Sequence, residues 1–245
     1  MRNHYVIGSC VLMGLVLASG GFSRASGEDL PGCAALPSAA QLRAMLAHAP
    51  DVGGEAGGLF HGRLMWGAVV NRQGDVCAYA TSTSDVSQVW PGSQAIAKAK
   101  AYTANAFSLD GLALSTARLY TFVQPGHSLF GLNQSQPFNP AALGDHAGKV
   151  ETPGGIITFG GGVPLYNSHG RIVGGLGVSG DTACTDHEIA KRVRALAGMN
   201  QPATAGVDDI TYSGSDGATV VSHPYCINTW RNGVHVGEES AATGY

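Results

Sequence analysis

The side chains of this sequence that could carry chemistry are few and widely spaced. His127 lies in Gln124-Pro125-Gly126-His127-Ser128, a segment that proline and glycine shape as a loop. An imidazole on a loop between two structured halves is well placed to ligate a metal. The plainer alternative is a surface histidine without a partner. His187 stands near an expected helix start, beside Asp181 and Asp186. Asp181 and His187 would be the acid–base pair if the chain is an enzyme. Asp186 is equally well explained as an acid favoured by the helix dipole in a first turn. His169 falls in a hairpin turn and reads as surface, and His61, His146, His223 and His235 have no supporting pattern. Gly160-Gly161-Gly162 precedes no helix and carries no lysine, so it reads as a turn between strands rather than a phosphate loop. HExxH, GxSxG and CxxCH are absent, which leaves zincin, serine-hydrolase and thioether-linked haem chemistry unsupported. Acidic residues are too sparse for a glycosidase pair.

The elements that must position these residues follow from periodicity. Pro37-Ser38 predicts a helix start, with Leu42, Met45 and Leu46 on one face to about His48. Residues 51–58 read as a glycine-rich linker. Leu64–Val70 and Val76–Ala80 form a hairpin around Asn71-Arg72-Gln73-Gly74. Pro91–Phe107 is the strongest helix, with Ala95, Ile96, Ala99, Tyr102, Thr103 and Ala106 as its packing stripe. Leu112–Phe122 reads as a shorter helix, and 124–148 as a long irregular loop, the kind that is functional or a subunit contact. The stretch from Gly154 to His187 holds ten glycines in 34 residues. It predicts strands at 156–159, 163–166 and 172–178, the last with glycines 174, 175 and 177 where something approaches closely. Thr185 and Glu188 read as the capping box of a final helix to about Ala197. Hairpin connections make the sheet largely antiparallel, in an α/β (α+β) arrangement with covering helices.

The chain has 245 residues, 44% hydrophobic and 13% charged, enough to bury a core and unlike a nucleic-acid-binding composition. Arg2 and His4 precede an apolar run from Val6 to Leu17, and Ser23-Arg24-Ala25 suits a cleavage site. Residues 1–25 are therefore expected to be a secretory signal, with the mature protein secreted or periplasmic. The run falls short of the roughly 20 apolar residues of a membrane span, so no membrane insertion is expected after cleavage. Cleavage takes Arg2 and Arg24, so 14 basic residues become 12 against 17 acidic, a net charge of −5. That favours solubility and disfavours polyanionic partners. Cys33, Cys77, Cys184 and Cys226 remain, an even count that favours disulfides in an exported chain. Of the three possible pairings, Cys33–Cys77 with Cys184–Cys226 is preferred, each tying a terminal extension to the core.

Three segments together carry a family resemblance. They are Gly154–His187, Trp90–Asn105 (WPGSQAIAKAKAYTAN) and Gln124–Leu132 (QPGHSLFGL), in that order, within about residues 60–197. The chain resembles the GlcG/HbpS family, small haem-binding domains also found at the C-terminus of PduO-type proteins. The resemblance implies a profilin-like or PAS-like five-stranded sheet, a homo-oligomer, and haem or a similar small planar ligand. It divides the chain into the signal peptide 1–25, an extension 26–58 with a helix, the family domain 59–198 and a wrapping tail 199–245. Haem needs an apolar slot, an axial donor and polar partners for its propionates. Lys98, Lys100, Tyr102 and Thr103 on the main helix would supply the polar part, with Lys100 and Tyr102 near the carboxylates. His127 or Thr103 would lie nearest the iron, His127 as the metal ligand. The plainer reading leaves the lysines solvated and Tyr102 in the core. The slot would lie between helix and sheet or at a subunit interface. Two other functions fit the same residues. One is a cofactor-independent enzyme on a small organic acid or aromatic metabolite, with the 124–148 loop as its lid. The other is an oligomeric sensor or scaffold.

Overall fold

A computed structural model describes residues 31–143 and 152–239. The expected leader at 1–25, His146 and the end of the 124–148 loop lie outside the described residues. Helix α1 (Ala39–His48) starts where Ser38 and Gln41 cap each other, the Gln41 amide donating to Ser38 Oγ and the Ser38 amide to Gln41 Oε1. Strands β1 (Trp66–Asn71) and β2 (Val76–Thr81) form the expected hairpin. Its turn closes on a Gly74 with φ of +94°, a backbone state that suits glycine. Helix α2 (Ser93–Phe107) follows, then the single helical turn α3 (Leu132–Ser135), strands β3 (Gly162–Tyr166) and β4 (Ile172–Ser179), and helix α4 (Ala183–Leu196). The sheet is antiparallel throughout, in the order β2-β1-β4-β3.

Alternation along the strands sorts the core into two faces. Val69, Ala78, Val163, Leu165, Leu176 and Val178 pack with Leu42 and Leu46 of α1 and Ile189 and Val193 of α4. Ala68, Val70, Val76 and Tyr79 pack with Ala97 and Ala101 of α2. The sheet is therefore sandwiched between α2 and the α1–α4 pair, an α+β domain with both faces covered.

The α2 face is closed by glycine. A Cβ on Gly177 would lie 2.0 Å from the Ala97 carbonyl oxygen, one on Gly175 2.2 Å from that of Ala101, and one on Gly162 2.6 Å from that of Lys100. Here helix backbone rests on strand backbone. The buried stripe of α2 is accordingly Ala97, Ala101 and Ala104, and Ala95, Ile96 and Tyr102 of the expected stripe turn partly outward. Among the described residues no slot separates α2 from the sheet.

Three local expectations differ from the structure. Residues 156–159 are not a fifth strand, because side chains rather than a neighbouring strand take up their backbone groups. Thr103 Oγ1 accepts the Ile157 amide, and Thr116 Oγ1 donates to the Phe159 carbonyl. Residues 112–122 form short 3-10 turns at Thr116–Leu119 and Thr121–Val123. Helix α4 is capped one turn earlier than expected, by Thr182, which accepts from the Thr185 amide.

The tail is less plain than its sequence. It forms a parallel pair, β5 (Thr211–Tyr212) with β6 (Ser222–His223), and a hairpin, β7 (Thr229–Arg231) with β8 (Val234–Gly237). Ile210, Tyr212 and Cys226 pack on Ala117 and Cys184. Both preferred disulfides are present, Cys33–Cys77 and Cys184–Cys226, with Cα separations of 5.4 and 5.9 Å. Among the described residues no helix is long and apolar enough to cross a membrane.

The Gly177 contact sets a direct test. Gly177→Ala should destabilise the fold by about 3 kcal/mol or more, since the obstacle is helix backbone that cannot rotate away. Gly92→Ala, where nothing lies within 4 Å of the added methyl, should stay within about 0.5 kcal/mol. Denaturant unfolding of the two variants reads the difference.

Candidate functional site

Lys100 leaves α2 toward the sheet, and its ammonium is fully buried. It donates to Asp186 Oδ2 at 2.6 Å, to the Val178 carbonyl at 3.0 Å and to Ser179 Oγ at 3.5 Å. Three acceptors match the three protons of an ammonium. Burial pushes the Lys100 amine down and the Asp186 carboxyl up to about 6, while their mutual attraction resists both shifts. Lys100 is thus a staple between α2, β4 and α4, and it cannot reach a propionate. Lys98 is also buried, donating to the Ala142 carbonyl and lying over the Tyr79 ring.

The expected acid–base pair does not form. The Asp181 carboxylate accepts the amides of Leu59, Phe60, Gly62 and Thr182 at 2.7–3.1 Å, gathering the loop after the linker onto the start of α4. Such saturation leaves it no role as a base. No hydrogen bond or ion pair joins it to His187 among the described residues. His187 is fully buried, with Nε2 3.6 Å from Asp209 Oδ1. Burial alone would raise the Asp209 carboxyl, yet His187 and Lys191 hold it well below the usual range.

Thr103 and Tyr102 serve the covering segment. Thr103 Oγ1 donates to the Ala99 carbonyl at 2.8 Å and accepts the Ile157 amide at 3.0 Å, pinning 155–157 along α2. The half-buried Tyr102 ring lies against Gly74 and would contact a Cβ there at 3.1 Å. Outside that pin, Ala95, Ile96, Phe138, Ile156 and Ile157 line a shallow apolar groove of about 250 Å³. Asn133 and Gln136 are its polar residues, and it offers no imidazole, thiol or cation to an iron centre.

His127 has a different setting. It lines a cavity of about 440 Å³ between the 120–127 segment and the tail. Thr121 Oγ1 joins the two walls by donating to the Ser222 carbonyl at 2.6 Å. Val220, Pro224 and the Tyr120 ring make the apolar surface, with Ser213, Thr219 and Ser222 as hydroxyls. His223 forms the inner wall, its ring 5.0 Å from that of Tyr120. His223 Nδ1 lies 2.7 Å from the Pro224 carbonyl, and Nε2 accepts the Gly160 amide at 3.4 Å, which fixes a neutral ring with the proton on Nδ1. Burial is the main cause that pushes its pKa down to about 4; His187 and Lys100 push the same way, and the Pro224 carbonyl opposes them. The His127 imidazole is exposed at the mouth. An exposed imidazole, an apolar wall and hydroxyls therefore meet here, the residue types that could hold haem. Lys100, Tyr102 and Thr103 are not part of it. His61 pairs with Glu55 at 3.1 Å, and His169 is exposed in its turn, as expected.

The fold and geometry define an α+β domain with a two-faced antiparallel sheet and a histidine-bearing cavity at its edge. The profile of the haem-degrading protein, HbpS-like, family matches residues 59–195, and the chain belongs to that family. Solved structures with similarity include the Klebsiella pneumoniae protein ORFY, at 23% identity over 68% of this chain and 89% of that one, with a TM-score of 0.47. PduOC in a haem complex is 25% identical over 66% of this chain and 93% of that one, with a TM-score of 0.46. HbpS is 20% identical over 65% and 89%, with a TM-score of 0.42. No curated protein matches the chain. The cavity's tail wall, residues 213–224, lies beyond the matched segment.

Two measurements follow from the buried charges. Lys100→Met, which strands Asp186 without a partner, should cost about 3–5 kcal/mol, and Lys100→Met with Asp186→Leu should recover part of it. His223, held at about 4 against an ordinary 6.5, stabilises the fold fully above 6.5. That contribution, about 3 kcal/mol, is lost as pH falls toward 4. Asp186, raised to about 6 from 3.8, acts in the opposite sense, losing its share as pH rises across that span. Subtracting the unfolding curve of His223→Gln from that of the wild type isolates the histidine. The wild type should lose about 3 kcal/mol more between pH 7 and 4, and parallel curves would refute the assignment.

Proposed function

We propose that this chain is an exported haem-binding protein that holds the macrocycle in the edge cavity, with the His127 imidazole as axial donor. The carrying observation is the position of His127 on a cavity of about 440 Å³ whose walls supply an aromatic ring, aliphatic surface and hydroxyls. Cavities of this scale, about 300–1,000 Å³, suit small-molecule ligands. The family's description supports haem over other planar ligands. In this reading Tyr120 and Val220 lie against the ring, and Ser213 and Thr219 hydrogen-bond the propionates. His223 borders the inner end of the cavity, neutral and committed to Gly160, so His127 alone offers a free imidazole. Bound haem supplies an iron centre for redox or ligand-exchange chemistry. Export rests on the leader pattern at 1–25 and is supported by two disulfides, which persist in oxidising compartments. Self-association belongs to the same reading, supported by the exposed ring of Phe130 close to the cavity segment.

Titration of the metal-free protein with haemin tests this. A saturable Soret shift at one equivalent is expected, with His127→Ala weakening binding by about tenfold or more, some 1.4 kcal/mol, and Tyr102→Phe binding as wild type does. Absence of a shift, or equal titrations for wild type and His127→Ala, would contradict the proposal.

A further inference from the structure

The Cys184–Cys226 disulfide has unusual neighbours. Cys184 and His187 are three residues apart on α4 and share a face, and His223 and Cys226 repeat the spacing in reverse order on the tail. The two sulfurs and a ring nitrogen of His223 all lie within 4.8 Å of one another, and all three residues are buried. His187 is also buried; its Nε2 lies 3.6 Å from Asp209 Oδ1, beyond hydrogen-bond distance, and its Nδ1 has no hydrogen-bond partner. A buried ring nitrogen left without a hydrogen bond is costly unless the site has a further use for it. Both imidazoles border Gly160, whose amide donates to His223 Nε2 and whose added Cβ would lie 3.0 Å from His187 Cβ. The Cys184 amide, in the first turn of α4, points at Cys226 Sγ at 3.2 Å. A helix N-terminus with an amide aimed at sulfur favours a thiolate.

We propose that this cluster is a second, redox-gated metal centre. When the disulfide is reduced, Cys184, Cys226 and His223, whose Nε2 exchanges the long Gly160 hydrogen bond for the cation, bind a thiophilic divalent cation of the zinc type, with His187 as the fourth donor. The three mutually close donors supply two thiolates and one imidazole of a tetrahedral site with bonds of about 2.0–2.3 Å, and His187, one turn on from Cys184 on α4, completes it. The reaction balances simply. A dithiol reductant gives two electrons and two protons to the sulfur–sulfur bond, yielding two thiols and its own disulfide. The cation then displaces both thiol protons. Exchange with a small-molecule disulfide, which takes up the two electrons and becomes two thiols, reverses the sequence and expels the metal, so the bond joining α4 to the tail becomes either a covalent or a coordinate link. This centre is separate from the haem cavity, although His223 borders both.

Cobalt(II) added anaerobically to the full chain, after reduction with a phosphine and its removal, provides the probe. The expected result is a thiolate-to-cobalt charge-transfer band with the intense visible bands of tetrahedral cobalt, saturating at one equivalent. The oxidised wild type should show neither. Reduced Cys184→Ser, which keeps Cys33 and Cys77, should lose the band, and reduced His223→Gln should bind at least tenfold more weakly. His127→Ala should keep it, which separates this centre from the haem reading. No band in the reduced wild type, or an equal band in Cys184→Ser, would overturn the proposal. So would a reduced chain that unfolds by circular dichroism and is not refolded by cobalt.

Discussion

The rest of the structure depends on the contact of α2 with β4, where backbone meets backbone. Gly175 and Gly177 leave no room even for a methyl group under Ala101 and Ala97. Interiors packed this closely admit no ligand between the layers. The alanines of α2 follow from the same constraint, since larger residues would lift the helix from the sheet. So does the path of Lys100, which cannot spread along the interface and instead passes to Asp186 at the start of α4. With that seam closed, the proposed binding site lies at an edge of the layers, where the 120–127 segment and the tail enclose a cavity.

The first turn of α4 joins almost everything else. Asp181 gathers the amides at 59–62, Thr182 caps the helix, Cys184 anchors the tail and Asp186 receives Lys100. The 59–62 loop, the tail and α2 thus converge on residues 181–186. A buried ion pair at such a junction gives little net stability, because desolvation offsets its attraction, but losing one partner is expensive. The pair therefore acts as a registry device between α2 and α4. His187 and His223 follow in the same polar seam, which continues to the cavity wall.

Much of this was legible in the sequence. Pro37-Ser38, the Asn71–Gly74 turn and the glycine-thinned run at 172–178 marked their elements because each signal is local. Even cysteine usage pointed to disulfides, and the preferred one of three possible pairings is the one present. What failed was long-range. Residues 156–159 have the composition of a strand, but Thr103 and Thr116, more than 40 positions away, claim their backbone groups. The expected stripe of α2 was right only in part: Ala99 and Thr103 are buried, but the face laid on the sheet, Ala97 and Ala101, is chosen by glycines on another element. Lys100 read as a carboxylate ligand because a lysine on an isolated helix gives no hint of Asp186. His223 was passed over for want of a local pattern. The mirrored spacings Cys184-x-x-His187 and His223-x-x-Cys226 were the signal that would have found it.

The central claim is one of location: a ligand binds at the edge cavity and not beneath α2. Backbone amide spectra of the protein loaded with haemin, compared with a diamagnetic zinc porphyrin control, test that most directly. Paramagnetic broadening should centre on Tyr120, His127, Thr219 and Ser222, leaving Ala97, Ala101, Gly175 and Gly177 sharp. Broadening centred on those four seam residues would contradict the account.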